Sequence, residues 1–273
     1  MQPRAFLRFG VSASHGGAHL LDGANQFVVA LTSQLGKAVR LWVASDYEHL
    51  LKAITEGAVE MAWMPPLLQA RALPSGARLV AVSCREGQLM YRSALLVRAD
   101  AKWKHTKELR AIRAAWVDPS SASGHMFPRM HVLATTGATP AEVFTAEVFE
   151  GSFSRACAAV AHDRADLCAC FIKESAHRAG SVYDDLRVSF GWLIDRLRVL
   201  DSTDAITPDG IVLAKGAADE HPQLSRALLA LHEIADGASA LNTLLRADML
   251  VAPPPEIEAA VSRLQARLGA VRS

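Results

Sequence analysis

The sequence predicts an α/β protein made of two units, and three observations carry that reading. Short apolar runs alternate with segments of helical period, the pattern of parallel strands covered by helices. The alternation restarts near residue 100 and returns to its first theme after residue 200, as if a second α/β unit were inserted into the first. The chain has 273 residues, 51% hydrophobic and 21% charged, enough to bury a large core and too apolar for a disordered chain. The expected division is residues 1–98 plus 205–273 for the first unit and 99–204 for the inserted one.

The elements follow in order. Phe9–Val11 ends a first strand. A helix over 23–35 sets Phe27, Ala30, Leu31 and Leu35 on one face, with Gly36 as its stop. Val39–Val43 is a strand. Asp46 caps a helix that turns Leu50, Ala53 and Ile54 inward and ends at Gly57. Val59–Met64 is a strand closed by Pro65 and Pro66. Strands over 79–83 and 93–98 follow. After the restart, Ile112–Val117 is a strand, Ser154–Ala161 a helix and Asp166–Phe171 a strand. Strands over 197–200 and 211–214 precede a mainly helical last third, broken at Pro253–Pro255. Trp63 and Trp116 lie in apolar strands and are expected in the core.

Charge and cysteine content exclude several classes. Lys plus Arg number 29 against 28 for Asp plus Glu, a net charge of +1, so no basic field favours nucleic acid. No apolar run approaches the ~18 residues of a membrane span, and no direct membrane insertion is expected. The first ten residues lack the basic-then-apolar form of a secretory signal. That leaves two expectations: a cytoplasmic protein if Met1 is the native start, or an exported one whose signal has been removed. Cys84, Cys157, Cys168 and Cys170 form no regular framework. Cys168 and Cys170 share a strand face and are expected as buried, structural thiols.

Common catalytic signatures are absent. There is no phosphate loop, no dinucleotide fingerprint and no nucleophile elbow. His232–Asp236 lacks the second histidine of a zinc helix. His15–Gly17 faintly resembles an oxyanion loop, but a turn is the plainer reading. No metal, no cofactor and no catalytic residue is expected.

The most informative stretch is Ala115–Pro128. A strand ends at Asp118–Gly124, a turn of small hydroxyl residues, and a helix is expected to start there. A helix start presents unpaired N–H groups and a positive dipole end, which suits an oxyanion. The plainer alternative is that Ser120, Ser121 or Ser123 is only a helix cap.

Here the chain resembles the phosphate, phosphite and phosphonate binders among ABC-transporter substrate-binding proteins, in the type II periplasmic-binding-protein superfamily. Trp116–Pro128 looks like their anion loop. Asp46-Tyr47, Glu56–Pro66, Tyr91–Ser93, Glu150–Ser152 and Thr207–Gly210 also appear in the family's order. The resemblance runs from about residue 5 to 255. It implies two α/β lobes joined by crossovers, placed near 95–100 and 200–206, with the ligand in the cleft. It makes Ser121, Ala122 and Ser123 the anion loop, Tyr47 and Tyr91 wall residues from the first lobe, and Asp209 a hinge-side acceptor. Asp209 also sits in Pro-Asp-Gly, a turn sequence.

The resemblance further implies a monomer that captures a small anion and presents it to an ABC-transporter permease in the periplasm. Two alternatives stand beside it: a sensing domain of the same fold that signals to a partner protein, and an enzyme on this fold. This chain departs from the family at Ala122, where a hydroxyl residue is usual, and at Phe153, where His is usual. Both changes delete donors. They imply poor binding of inorganic phosphate and better binding of an organic anion with an apolar or aromatic part packed on Phe153.

Overall fold

The computed structural model describes residues 5–13, 17–119 and 121–270. His15, Gly16 and Ser120, all singled out above, lie outside the described residues. Among the described residues the strands, in chain order, are β1 (Leu7–Ser12), β2 (Val39–Ala44), β3 (Met61–Met64), β4 (Arg78–Cys84), β5 (Tyr91–Arg98), β6 (Ile112–Trp116), β7 (Phe144–Phe149), β8 (Leu167–Lys173), β9 (Leu197–Ser202), β10 (Gly210–Leu213) and β11 (Met249–Val251). They form two sheets. The chain divides into one unit of residues 1–89 and 207–273 and another of residues 90–206.

The first unit holds the sheet β11-β4-β10-β3-β1-β2. β1 runs parallel to β2 and β3, while β10 runs antiparallel to β3 and β4. Helices cover this sheet because its strands are apolar on both faces; all four residues of β3 and all four of β10 are buried. The helix Gly17–Leu35 places Phe27 against Phe9 of β1, with ring centroids 4.5 Å apart. The helix Tyr47–Thr55 starts as its sequence predicts. The Asp46 carboxylate accepts from the His49 N–H at 2.8 Å, and Leu50, Ala53 and Ile54 are buried.

The second unit holds the sheet β7-β6-β8-β5-β9. β6, β7 and β8 are mutually parallel, and β5 runs antiparallel to β8 and β9. Alternate residues of its strands feed two separate cores, one on each face. Ala94, Leu96, Cys168, Cys170 and Ile172 pack with the helix Phe153–Ala161. Leu95, Val97, Leu167, Ala169 and Trp116 pack with Val132 of the helix Phe127–Thr136. All four cysteines are buried, and Cys168 Sγ lies 3.9 Å from Cys157 Sγ. Cys157 thus joins the strand pair read from the sequence.

Three expectations change. Residues 90–98 belong to the second unit, not the first, because β5 hydrogen-bonds β8 and β9 along its length, and residues 205 and 206 go with them, since Ile206 bridges to Tyr91. β7 has no counterpart among the strands read from the sequence. It is an edge strand with one buried residue in six, so it lacks the apolar run that marks the others. The last third contains β11 as well as helices; three residues give too short a period to read.

Candidate functional site

Because β6, β7 and β8 are parallel, their carboxyl ends meet at one edge of the second unit's sheet, where open α/β sheets bind ligands. Three chain segments converge there. Residues 117–126 follow β6, and Glu150–Ser152 follow β7. These two are laced together: Glu150 N–H donates to Trp116 O and Gly151 N–H to Val117 O, both at 2.8 Å. The third segment is the end of β8, where Lys173 pairs with Tyr91 of β5.

The loop after β6 enters its helix through a wide turn. Ala122–Met126 is π-helical, with Met126 N–H donating to Ser121 O at 2.9 Å, and the helix Phe127–Thr136 continues from it. Such insertions often mark functional sites. Ser121 is the cap: its Oγ accepts from Gly124 N–H at 3.1 Å. Gly124 O in turn accepts from Val117 N–H at 3.1 Å. A Cβ on residue 124 would lie 2.5 Å from Val117 Cγ2 and 2.7 Å from Ser121 Oγ, so only glycine fits. From below, Ser93 Oγ on β5 donates to Ser123 O at 2.6 Å.

These bonds leave a defined set of donors. Ser123 is 7% exposed, and among the described residues nothing pairs with its hydroxyl. The N–H groups of Ala122 and Ser123, first in the turn, likewise have no backbone acceptor among the described residues. Among the described residues the buried side-chain polar atom without a partner is Gln69 Oε1, so the Ser123 hydroxyl reaches the surface and is free to donate to an oxyanion at the turn. Of the serines named from sequence, Ser121 fulfils the plain capping role and Ser123 has a donor in reserve.

Phe153 opens its helix directly after the cap Ser152, whose hydroxyl accepts from Arg155 N–H. Its half-buried ring meets Phe171 edge-on at 5.5 Å and Phe190 at 6.2 Å. Phe171 stands opposite Ser93 in the β5–β8 ladder. The aromatic cluster is therefore one residue pair from the hydroxyl that holds Ser123.

The cation at this edge is balanced. Arg92 Nε donates to Glu174 Oε2 at 2.6 Å, and a second Arg92 nitrogen donates to Thr203 O at 2.8 Å. Arg178 Nε reaches the other Glu174 oxygen at 3.1 Å. Burial alone would push the Glu174 carboxyl up; the hydrogen bonds and charges of Arg92 and Arg178 outweigh it and hold the group below its ordinary value. Arg92 is thus a structural arginine.

The first unit has a similar edge. Tyr47 is the first helical residue after β2, half-buried against the core. Asp209 immediately precedes β10, whose antiparallel direction brings it to the carboxyl ends of β3 and β4. Its carboxylate accepts from Trp63 Nε1 at 2.8 Å, Ser83 Oγ at 2.7 Å and Arg85 at 2.6 Å. Burial raises the Asp209 pKa, but the Arg85 charge and these donors together bring it below the ordinary value. Gly210 follows because a Cβ there would lie 2.4 Å from Ala81 O.

The structure thus brings Tyr91, Ser121, Ala122, Ser123 and Phe153 to one edge of the second unit, and Tyr47 and Asp209 to one edge of the first. Tyr91 was expected in the first lobe; the β5–β8 ladder puts it in the second unit. Ser93, Phe171 and Phe190 were not singled out from sequence. Nothing local marks them, since their roles come from cross-strand and ring partners distant in the chain. No group of three or more His, Cys, Asp or Glu among the described residues is arranged to hold a metal ion.

Comparison with known proteins agrees with this architecture. Residues 9–253 match the family described as "ABC transporter, phosphonate, periplasmic substrate-binding protein". The phosphonates-binding periplasmic protein of Escherichia coli (strain K12) is 24% identical over 219 residues, covering 78% of this chain; the chain spans 62% of that relative's length. XAC2383 from Xanthomonas citri, solved bound to ATP, has a TM-score of 0.79 at 17% identity, covering 98% of each chain. PhnD1 from Prochlorococcus marinus (MIT 9301), solved with methylphosphonate, has a TM-score of 0.69 at 15% identity, covering 97% of this chain and 98% of that one. These structural likenesses establish the two-unit type II periplasmic-binding-protein fold. The match across nearly the whole length settles the family: this chain belongs to the periplasmic substrate-binding proteins of phosphonate ABC transporters.

Proposed function

We propose that the chain captures a small oxyanion of the phosphonate class at the turn Ser121–Gly124 and hands it to an ABC-transporter permease in the periplasm. The observation that carries this is Ser123, a largely buried serine whose hydroxyl has no partner among the described residues and reaches the surface at the start of a helix. The anion would accept from that hydroxyl and from the Ala122 and Ser123 N–H groups, with the dipole of the following helix adding a favourable field. A backbone cradle needs no hydroxyl at residue 122, so Ala122 is compatible with it. Tyr91 and Phe153 at the same edge are proposed as further ligand contacts. Family members are periplasmic binding proteins, and the proposed role is carriage rather than catalysis.

Calorimetric titration with methylphosphonate, methanesulfonate and inorganic phosphate tests this reading. At least one should bind saturably, and Ser123→Ala should weaken it about 5- to 30-fold, the equivalent of about 1–2 kcal/mol. Absence of saturable binding, or equal affinity in Ser123→Ala, would reject it.

A further inference from the structure

The anion turn is bordered by three aromatic rings, and among the described residues the edge they share offers no uncommitted arginine. We propose that the preferred ligand is a monoanionic organic oxyanion bearing an aryl group, with Phe153, Phe171 and Phe190 forming its substituent subsite. The proposal rests on the function assigned above and names the substrate class of that same turn.

Two independent observations carry it. The first is charge. Arg92 is the arginine on β5 at this edge, and it is bound through two nitrogens to Glu174, which is 5% exposed. Lys173 Nζ lies 3.9 Å from Asp185 Oδ1, and Arg155 and Arg164 both lie within 4 Å of Glu150. The attraction left for a ligand is a helix start, equivalent to roughly half a unit charge, plus hydroxyl and amide donors. That suits one negative charge. A dianion would meet no matching cation and would lose more hydration.

The second observation is the apolar cluster. Phe153, Phe171 and Phe190 have mutual ring distances of 5.5, 6.2 and 6.2 Å, with interplanar angles of 77°, 54° and 63°. All three are only partly buried. Rings so inclined present both faces and edges to an incoming aromatic ring. Phe153 is tied to the turn through Gly151 N–H···Val117 O, and Phe171 through its partner Ser93. An anion at Ser123 and its aryl substituent would thus fall on adjoining surfaces.

The test compares benzenesulfonate with methanesulfonate, two monoanions with the same head group, by calorimetry on the full chain. Benzenesulfonate should bind at least tenfold more tightly. Phe153→Ala should reduce that ratio at least threefold. Phe153→Leu, which keeps an apolar side chain, should reduce the ratio in the same direction. Phenylphosphonate should bind more weakly at pH 8.5, as a dianion, than at pH 6. Equal binding of the two sulfonates, or a ratio unchanged in both variants, would overturn this inference alone. Failure of every oxyanion to bind would overturn the function and the inference together.

Discussion

Ser93 Oγ on β5 donates a 2.6 Å hydrogen bond to the carbonyl oxygen of Ser123. Both residues are buried, so this bond fixes the anion turn to the sheet in a dry setting where geometry is sharply held. Ser93 is itself locked: its N–H donates to Thr203 Oγ1 at 3.0 Å and its carbonyl accepts from Thr203 N–H at 2.9 Å. Ser93→Ala should leave Ser123 O without a donor and cost about 1–3 kcal/mol of stability. Oxyanion affinity should fall too, although Ser93 touches no ligand. Chemical denaturation and titration of Ser93→Ala and Ser93→Thr check this; the Thr variant should recover part of both losses.

Gly124 is required for space, not for a left-handed backbone. Gly124→Ala should cost about 1–3 kcal/mol through overpacking against Val117 and abolish measurable oxyanion binding. Adding Val117→Ala should restore part of the stability, because the 2.5 Å clash is with Val117 Cγ2. Thermal denaturation of the single and double variants measures the coupling.

Acid should destabilise the fold through Asp209 and Glu174. Both carboxyls have folded-state pKa values below their ordinary ones, and the unfolded values are about 3.9 and 4.3. A lowered folded pKa gives stability that is fully present above the unfolded value and lost as pH falls through the folded one. Melting temperature should therefore hold above about pH 5 and fall below about pH 4. Asp209→Asn should be less stable at pH 7 by about 2–3 kcal/mol, since it leaves Arg85 facing a neutral group, and should show a shallower acid decline. Melting curves of both proteins from pH 3 to 7 decide it; parallel pH profiles would contradict the assignment.

The cysteines should behave as core residues. All four are buried, and thiol reagents reach them only through opening of the fold. A disulfide-exchange reagent should label fewer than one thiol per chain in the native state and four in denaturant, in a protein purified under reducing conditions.

Much of this was legible in the sequence, for identifiable reasons. The helix after β2 was readable because its cap, buried face and stop are all local: Asp46, then Leu50, Ala53 and Ile54, then Gly57 with φ +68°. The turn after β6 was readable as a run of small hydroxyl residues, but its π geometry was not, since that depends on which amide Ser121 O accepts. Asp209 was readable as a turn residue. Its three donors, Trp63, Ser83 and Arg85, lie more than 120 residues away, a distance no local pattern reports. Tyr91 went to the wrong unit for the same reason: membership is decided by pairing with Lys173 of β8. Phe153 stood out as a departure from the family's pattern, but its partners Phe171 and Phe190 did not.

The most direct test of the central claim is to follow backbone amide resonances during titration with methanesulfonate and benzenesulfonate. The account predicts saturable shifts of Ala122, Ser123 and Gly124 N–H, with a common midpoint, in the parent protein, and a midpoint at several-fold higher ligand concentration in Ser123→Ala. Saturable shifts confined to residues outside 117–126, or a turn whose resonances stay fixed while the protein binds, would contradict it.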